Sequence, residues 1–438
     1  MNLDHNIYSK TNIIKSSYLI FIIFIYITGF LWRENIAGAA ETDFLKFTWP
    51  AVLSFKRDFI YSILNYGKFG EGSTPLFHIL NAFINPFTYS QISFQGSIAF
   101  VSFLNVIIFS NIIEDKFKIK KIDATVCASI FLLLPFYRSS AFWGLTENLG
   151  WLFLLISIKY FLRLDRVLKK NFKFNIFLTC LFSSLALYTR PYLVFFPIFV
   201  LCYFIVNKNY KSLIYATIIY SLFSVPGLAL LYTWGGSVFL GTGDNKINFI
   251  QDYHNPKYIL KNLIIFPSIF LFYFAPFKLI EALNREKLFT SKKIYLYIYL
   301  FILISIFSLY YFDFFEYLKN MKLGGGSILK INQFIFKENL IIFLLISFIG
   351  IITIIDLALL SKKNLILLCS VILIYCTPKF IYQEYFEPLF IILFFLLFDL
   401  KANSNKIFKD NKFSIILIIY FFGYYVTSYY YRYYLETI

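Results

Sequence analysis

Leu340–Leu360 sets twenty-one residues in a row with a single ionisable side chain, Asp356. Runs of this kind recur at Ser17–Trp32, Phe174–Leu187, Tyr192–Val206, Leu263–Phe277 and Ile294–Phe312. Their apolar residues come in blocks rather than at amphipathic spacing. Segments of about 17–25 apolar residues cross a bilayer as helices, and the shorter runs are completed by Tyr, Ser and Lys at the interface. An aqueous core has no room for such a chain. Phe (57) and Tyr (35) exceed what one core can bury, and charged residues make up 15% of the chain, against about 25% in average soluble domains.

The expected fold class is therefore all-α, a polytopic transmembrane helix bundle forming one integral membrane domain over residues 1–438. Spans are predicted near 16–33, 95–113, 123–137, 146–163, 174–189, 192–207, 212–233, 262–279, 294–312, 339–359, 364–377, 387–400 and 413–430, about thirteen in all. Residues 34–94, after the first helix, form the largest non-membrane segment. Phe44–Phe55 and Asp58–Asn65 in it have the mixed character of helices lying on a membrane surface. Smaller outside loops are expected at 234–261 and 313–338, and Gly324-Gly325-Gly326 in the second reads as a flexible hinge.

A net charge of +17 suits nucleic acid at first sight, but its distribution points to a membrane. With the N-terminus cytoplasmic, the tail and the loops near 114–122, 159–173, 208–211, 278–293, 361–363 and 401–412 hold 25 of the 41 Lys and Arg residues. This is the positive-inside asymmetry, and no nucleic-acid partner is implied. Lys10 and Lys15 before an apolar stretch, with Ala37-Gly38-Ala39 after it, look like a signal sequence. The stretch is as long as a span, so a retained signal anchor is expected. The five cysteines show no CxxC pair or metal spacing and read as packing residues.

Ionisable groups at membrane depth or at its boundary are costly and are functional candidates by default. In this topology Asp43, His78, Arg138, Glu147, Arg190, Lys379, Glu384 and Glu387 fall on the outer face. They form four clusters and a late group. In Ala40-Glu41-Thr42-Asp43-Phe44, a carboxylate just outside the first helix can accept a proton from a sugar hydroxyl. In Ser73-Thr74-Pro75-Leu76-Phe77-His78, Pro75 fixes a helix start and His78 follows one turn later. Arg138 and Glu147 lie on one short outer turn, where Glu147 opens a helix and is favoured by its dipole. In Tyr188-Thr189-Arg190-Pro191, the proline breaks the helix before it and leaves a guanidinium at the break, suited to a phosphate.

At these clusters the chain resembles the GT-C superfamily of polyprenyl-phosphate-sugar-dependent glycosyltransferases, which includes the protein mannosyltransferases and the bacterial lipid A aminoarabinose transferase. The family's acidic residue after helix one is matched by Asp43 in Glu-Thr-Asp-Phe. Its Pro-Pro-Leu-Tyr-like helix start is matched by Thr74-Pro75-Leu76-Phe77, with one Pro. Its second acid is matched by Glu147, its Thr-Arg pair by Thr189-Arg190, and its late motif loosely by Tyr385-Phe386-Glu387-Pro388. The family's Asp-Glu doublet is here Asp43-Phe44, and Glu384-Tyr385 stands where Arg-Tyr is usual. The matches concentrate in residues 1–210.

The resemblance implies an inverting sugar transfer at the outer face of the cell (inner) membrane. Its donor is a polyprenyl-phosphate sugar, and its acceptor is a cell-envelope glycan or a lipid-linked group. It makes Asp43 the base, with Glu41 and Glu147 as further catalytic candidates. Arg190, Arg138, His78, Lys379, Glu384 and Glu387 are substrate-binding candidates, and a divalent cation beside Glu147 is compatible with it. Two other classes compete. An O-antigen- or capsule-type repeat-unit polymerase is equally aromatic and basic, but usually carries its large loops late. A flippase or transporter would show internal repeats and helices broken at mid-membrane.

Overall fold

A computed structural model describes residues 2–36, 38–69, 74–164, 171–233, 257–283, 294–312, 318, 324–337, 339–400, 408 and 411–435. Each apolar run that it covers folds as helix. The described residues are 85% helical and hold no strands. Among the described residues, seven helices are long and apolar enough to cross a membrane, or eight if one bent pair counts as a single span. That is compatible with a multi-pass membrane protein. The chain divides into two compact units. The first comprises residues 1–197, 210–244 and 408–438, and the second comprises residues 198–209 and 245–407.

The first unit opens with α1 (Asn2–Leu31). The described part of the segment after it is mostly helical. It holds α2 (Ala40–Asp43), a π turn over Phe44–Thr48, α3 (Trp49–Arg57), α4 (Phe59–Leu64) and α5 (Leu76–Phe83). Asp58 caps α4 by accepting from the Tyr61 amide at 2.9 Å, satisfying one of the free donors of a helix start. Ala51, Val52 and Phe55 of α3 are buried while Lys56 and Arg57 stay exposed, so α3 is two-faced as its sequence requires.

The long helix α6 (Gln91–Phe117) starts on Ser90, whose hydroxyl accepts from the Ser93 amide, and stops at Lys118 in a left-handed conformation. Next come α7 (Lys121–Ala128), a 3₁₀ turn to Leu133, and α8 (Pro135–Phe142). The predicted continuous span over 123–137 is not continuous. Leu134 is extended before Pro135, and the pieces on either side meet at 72°. A residue before proline is pushed out of the helical region, so the break was legible in Leu134-Pro135.

The unit continues with α9 (Glu147–Leu164), α10 (Phe172–Thr189), the start of α11 (Phe195–Val206) and α12 (Tyr210–Thr233), and ends with the helix Asn411–Tyr430. Polar side chains join these helices, as in membrane bundles where apolar contact alone discriminates poorly. Ser157 donates to the Thr179 carbonyl at 2.6 Å, joining α9 to α10. The Ser183 and Tyr220 hydroxyls lie 2.9 Å apart between α10 and α12. Asn105 of α6 donates to Tyr137 Oη and to the Asn148 carbonyl, holding α8 and α9.

The second unit is built on a helix over Lys257–Leu283 packed against one over Ile341–Ala358. Gly350 permits the approach, since a Cβ there would overlap the Pro267 carbonyl. The span expected at 387–400 is instead a helix over Leu389–Ile392 with a π turn to Leu397, all of it buried. Nine residues rise only about 14 Å, half the hydrocarbon thickness. This piece is a core helix, which explains its phenylalanines. Phe386, Phe390, Phe394 and Phe398 stack in succession with ring centroids 4.9–5.8 Å apart. Phe266 and Phe270 meet them edge-on.

The expected flexible hinge at Gly324-Gly325-Gly326 is a packed turn. All three glycines have positive φ, and the Gly325 amide donates to the Ile381 carbonyl at 2.7 Å. A Cβ on Gly324 would stand 2.7 Å from that same carbonyl oxygen. The glycines serve close approach, which needs the left-handed region without a side chain.

Candidate functional site in the first unit

Beyond α1 the chain turns through Arg33 (φ 54°) and brings Glu34 back against the helix end. Glu34 is 4% exposed and faces Arg138 of α8, which is fully buried. The guanidinium grips the carboxylate with two hydrogen bonds, Nε to Oε1 and Nη2 to Oε2, both 2.7 Å. Arg138 also donates to the carbonyls of Leu132 (2.8 Å) and Ile25 (3.2 Å). The rings of Tyr26, Phe142 and Tyr425 lie 4.5–5.4 Å from its Cζ. Tyr425 Oη donates to Glu34 Oε2 at 2.9 Å. Gly29 makes room for the pair, since a Cβ there would overlap the guanidinium. Such a pair holds only because each charge is matched and hydrogen-bonded.

The sequence sets Arg138 and Glu147 on one short turn, but the fold sends them to different partners. Glu147, first residue of α9, pairs with Arg190, whose Nη2 is 2.6 Å from Oε1. The pair is partly open, with side chains 22% and 19% exposed. Arg190 sits in extended conformation between the end of α10 and the turn begun by Pro191, as the Arg-Pro sequence predicts. Its Cζ lies 5.2 Å from the Tyr192 ring. Gly150, one turn into α9, lets the arginine stem lie close, since a Cβ there would be 3.4 Å from Arg190 Cγ. Glu147 Oε2 is buried and, among the described residues, has no hydrogen-bond partner.

Thr74 ties a second cluster to this one, because its hydroxyl donates to the Tyr188 carbonyl at the end of α10. Pro75 precedes α5, as expected. His78 is fully buried, with Nδ1 3.0 Å from Tyr66 Oη and its ring among Phe55, Phe77 and Tyr66.

Asp43 ends α2 half-buried, and Glu41 is exposed. The next residue, Phe44, is fully buried in an aromatic cluster with Trp49, Phe94 and Trp143. Phe77 joins the same cluster through Phe94. The cluster thus anchors the acidic segment to α5 and to the turn just before Glu147. From the other side, the Asn35 amide donates to Tyr433 Oη at 2.9 Å, and Arg432 Nη2 donates to the Gly38 carbonyl at 3.3 Å.

Lys379, Glu384 and Glu387 belong to the second unit. Lys379 and Glu384 are exposed. Glu387 is buried and accepts from Tyr273 Oη at 2.8 Å, and Gln383 donates to the same hydroxyl at 3.1 Å.

Sequence reading missed Glu34, Tyr425 and Gly150. An arginine inside Pro135-Phe136-Tyr137-Arg138 demands an acid, but only the fold selects Glu34. Among the described residues, no three His, Cys, Asp or Glu side chains stand together so as to hold a metal ion. Comparison with protein-family models, curated proteins and solved structures found no match.

Proposed function

We propose that this chain is a membrane glycosyltransferase. It moves a sugar from a polyprenyl-phosphate donor to a cell-envelope glycan or lipid acceptor on the outer face, with inversion. One observation carries this reading. The partly open Glu147–Arg190 pair is tied through Thr74 and Tyr188 to the same folded segment that carries Asp43.

In this reaction the Asp43 carboxylate takes the proton of the acceptor hydroxyl. The hydroxyl oxygen bonds to the anomeric carbon from the side opposite the phosphate. The bond from that carbon to the phosphate oxygen breaks, and its electron pair leaves on the lipid phosphate. Arg190 stabilises this charge. Its guanidinium has five N–H donors, so a phosphate can share it with Glu147, and a donor already in place where charge develops needs no reorganisation. Glu147 holds the guanidinium in this position through Oε1. Arg138, locked to Glu34, positions the segment leading to α2.

The test is transfer by the purified full chain from a radiolabelled polyprenyl-phosphate sugar. Single-sugar transfer, lowered about 10²–10⁴-fold by Asp43→Asn, supports the proposal. Elongation of lipid-linked repeat units instead assigns the chain to the polymerases. Full activity in both Asp43→Asn and Glu41→Gln removes this segment from the chemistry.

A further inference from the structure

The last two turns of α6 and of α9 border an open cleft of about 30 Å³, lined by Ile112, Asp115, Lys116, Lys159, Leu162 and Arg163. It stands at the opposite end of α9 from Glu147, and the reaction proposed above makes no use of it.

Its chemistry is uneven. Among the described residues its lining holds three cations and one carboxylate, with Ile112 and Leu162 as its apolar part. Lys159 and Arg163 are four residues apart and so share one face of α9. Lys116 lies half-buried on α6. The helix dipole accounts for Lys116 and Arg163 singly, because cations are favoured in the last turn of a helix. Lys159 lies more than a turn from the end of α9 and still lines the cleft. A lysine there retains its charge most readily beside an anion or water.

The position selects the anion. Gln91–Phe117 is one of the helices long and apolar enough to cross a membrane, so its end marks a membrane–water boundary. A basic pocket between helices at such a boundary suits the headgroup of an anionic lipid. We propose that this cleft binds the phosphate of an anionic phospholipid, with Lys116, Lys159 and Arg163 on the phosphate and Ile112 and Leu162 against the start of the acyl chains. The proposal is independent of the transferase reading.

The experiment is thermal unfolding of the purified full chain in detergent, titrated with phosphatidylglycerol, phosphatidylcholine or inorganic phosphate. Phosphatidylglycerol should raise the midpoint saturably, and the other two should not. Each cation near such a surface contributes about five-fold in affinity (about 1 kcal/mol), so Lys159→Gln/Arg163→Gln should bind the anionic lipid roughly 25-fold more weakly. The charge-matched control Lys118→Gln/Lys120→Gln, outside the cleft, should bind as the wild type does. Equal stabilisation by phosphatidylcholine, or equal weakening in the control, overturns the site. Equal stabilisation by inorganic phosphate overturns the lipid as its ligand. If the cleft variant does not fold, Lys159→Arg/Arg163→Lys replaces it and must retain binding, and the wild-type comparison of the three additives decides alone.

Discussion

Glu34→Gln removes the negative charge that Arg138 faces while keeping nearly the same shape. In the wild type two 2.7 Å hydrogen bonds join a fully buried guanidinium to a carboxylate that is 4% exposed. Removing one partner of a buried pair costs about 3–5 kcal/mol, because the other charge is left uncompensated. Glutamine keeps one acceptor, and the Leu132 and Ile25 carbonyls and three aromatic rings still face the cation. The loss should therefore sit near the lower end, about 3 kcal/mol, or roughly 150-fold in the folded-to-unfolded ratio. The assay is reversible unfolding in mixed micelles, followed by tryptophan fluorescence, with Glu41→Gln as the exposed-acid control. That control should stay within about 0.5 kcal/mol of the wild type. Adding Arg138→Met to Glu34→Gln leaves no orphaned charge, so the double variant should lose clearly less than the two single losses added together. Equal stability of Glu34→Gln and Glu41→Gln, or simple additivity in the double variant, would refute the closed pair.

Asp43→Asn should lower sugar transfer by about 10²–10⁴-fold, the usual worth of a general base, with membrane insertion unchanged in a fractionation assay. Arg190→Ala should raise the KM for the polyprenyl-phosphate donor more than that for the acceptor, and an equal effect on both would count against a phosphate contact. Gly350→Ala sets a methyl group against the Pro267 carbonyl and should destabilise at the upper end of the roughly 1–3 kcal/mol typical of overpacking, read as a lower thermal midpoint. Cysteine placed at Arg166 or Lys287 should resist membrane-impermeant labelling from outside, because dense basic loops stay cytoplasmic. Efficient labelling there would invert the topology.

Helices and breaks were written locally. Apolar runs such as Leu340–Leu360, with one ionisable residue in twenty-one, are helical because nothing in them supports another structure near a bilayer, and Leu134-Pro135 and Arg190-Pro191 stop helices because proline restricts the residue before it. The mixed patterns of Phe44–Phe55 and Asp58–Asn65 likewise announced helices between the first two long apolar ones. What the sequence left open was partnership. Arg138 and Glu147, nine residues apart, looked like one cluster, yet the fold gives Arg138 to Glu34 and Glu147 to Arg190, because the 72° bend at Pro135 and the return of the chain after α1 decide which acid reaches which cation. Composition alone also does not separate a lipid-facing helix from a buried one. Leu389–Leu397 reads as part of a span and is a core helix, since both environments are apolar and only packing against Phe266 and Phe270 tells them apart. The glycines at 324–326 show the same division. Their freedom is a property of the residue, but its use for a close approach to Ile381 was set by a contact far along the chain.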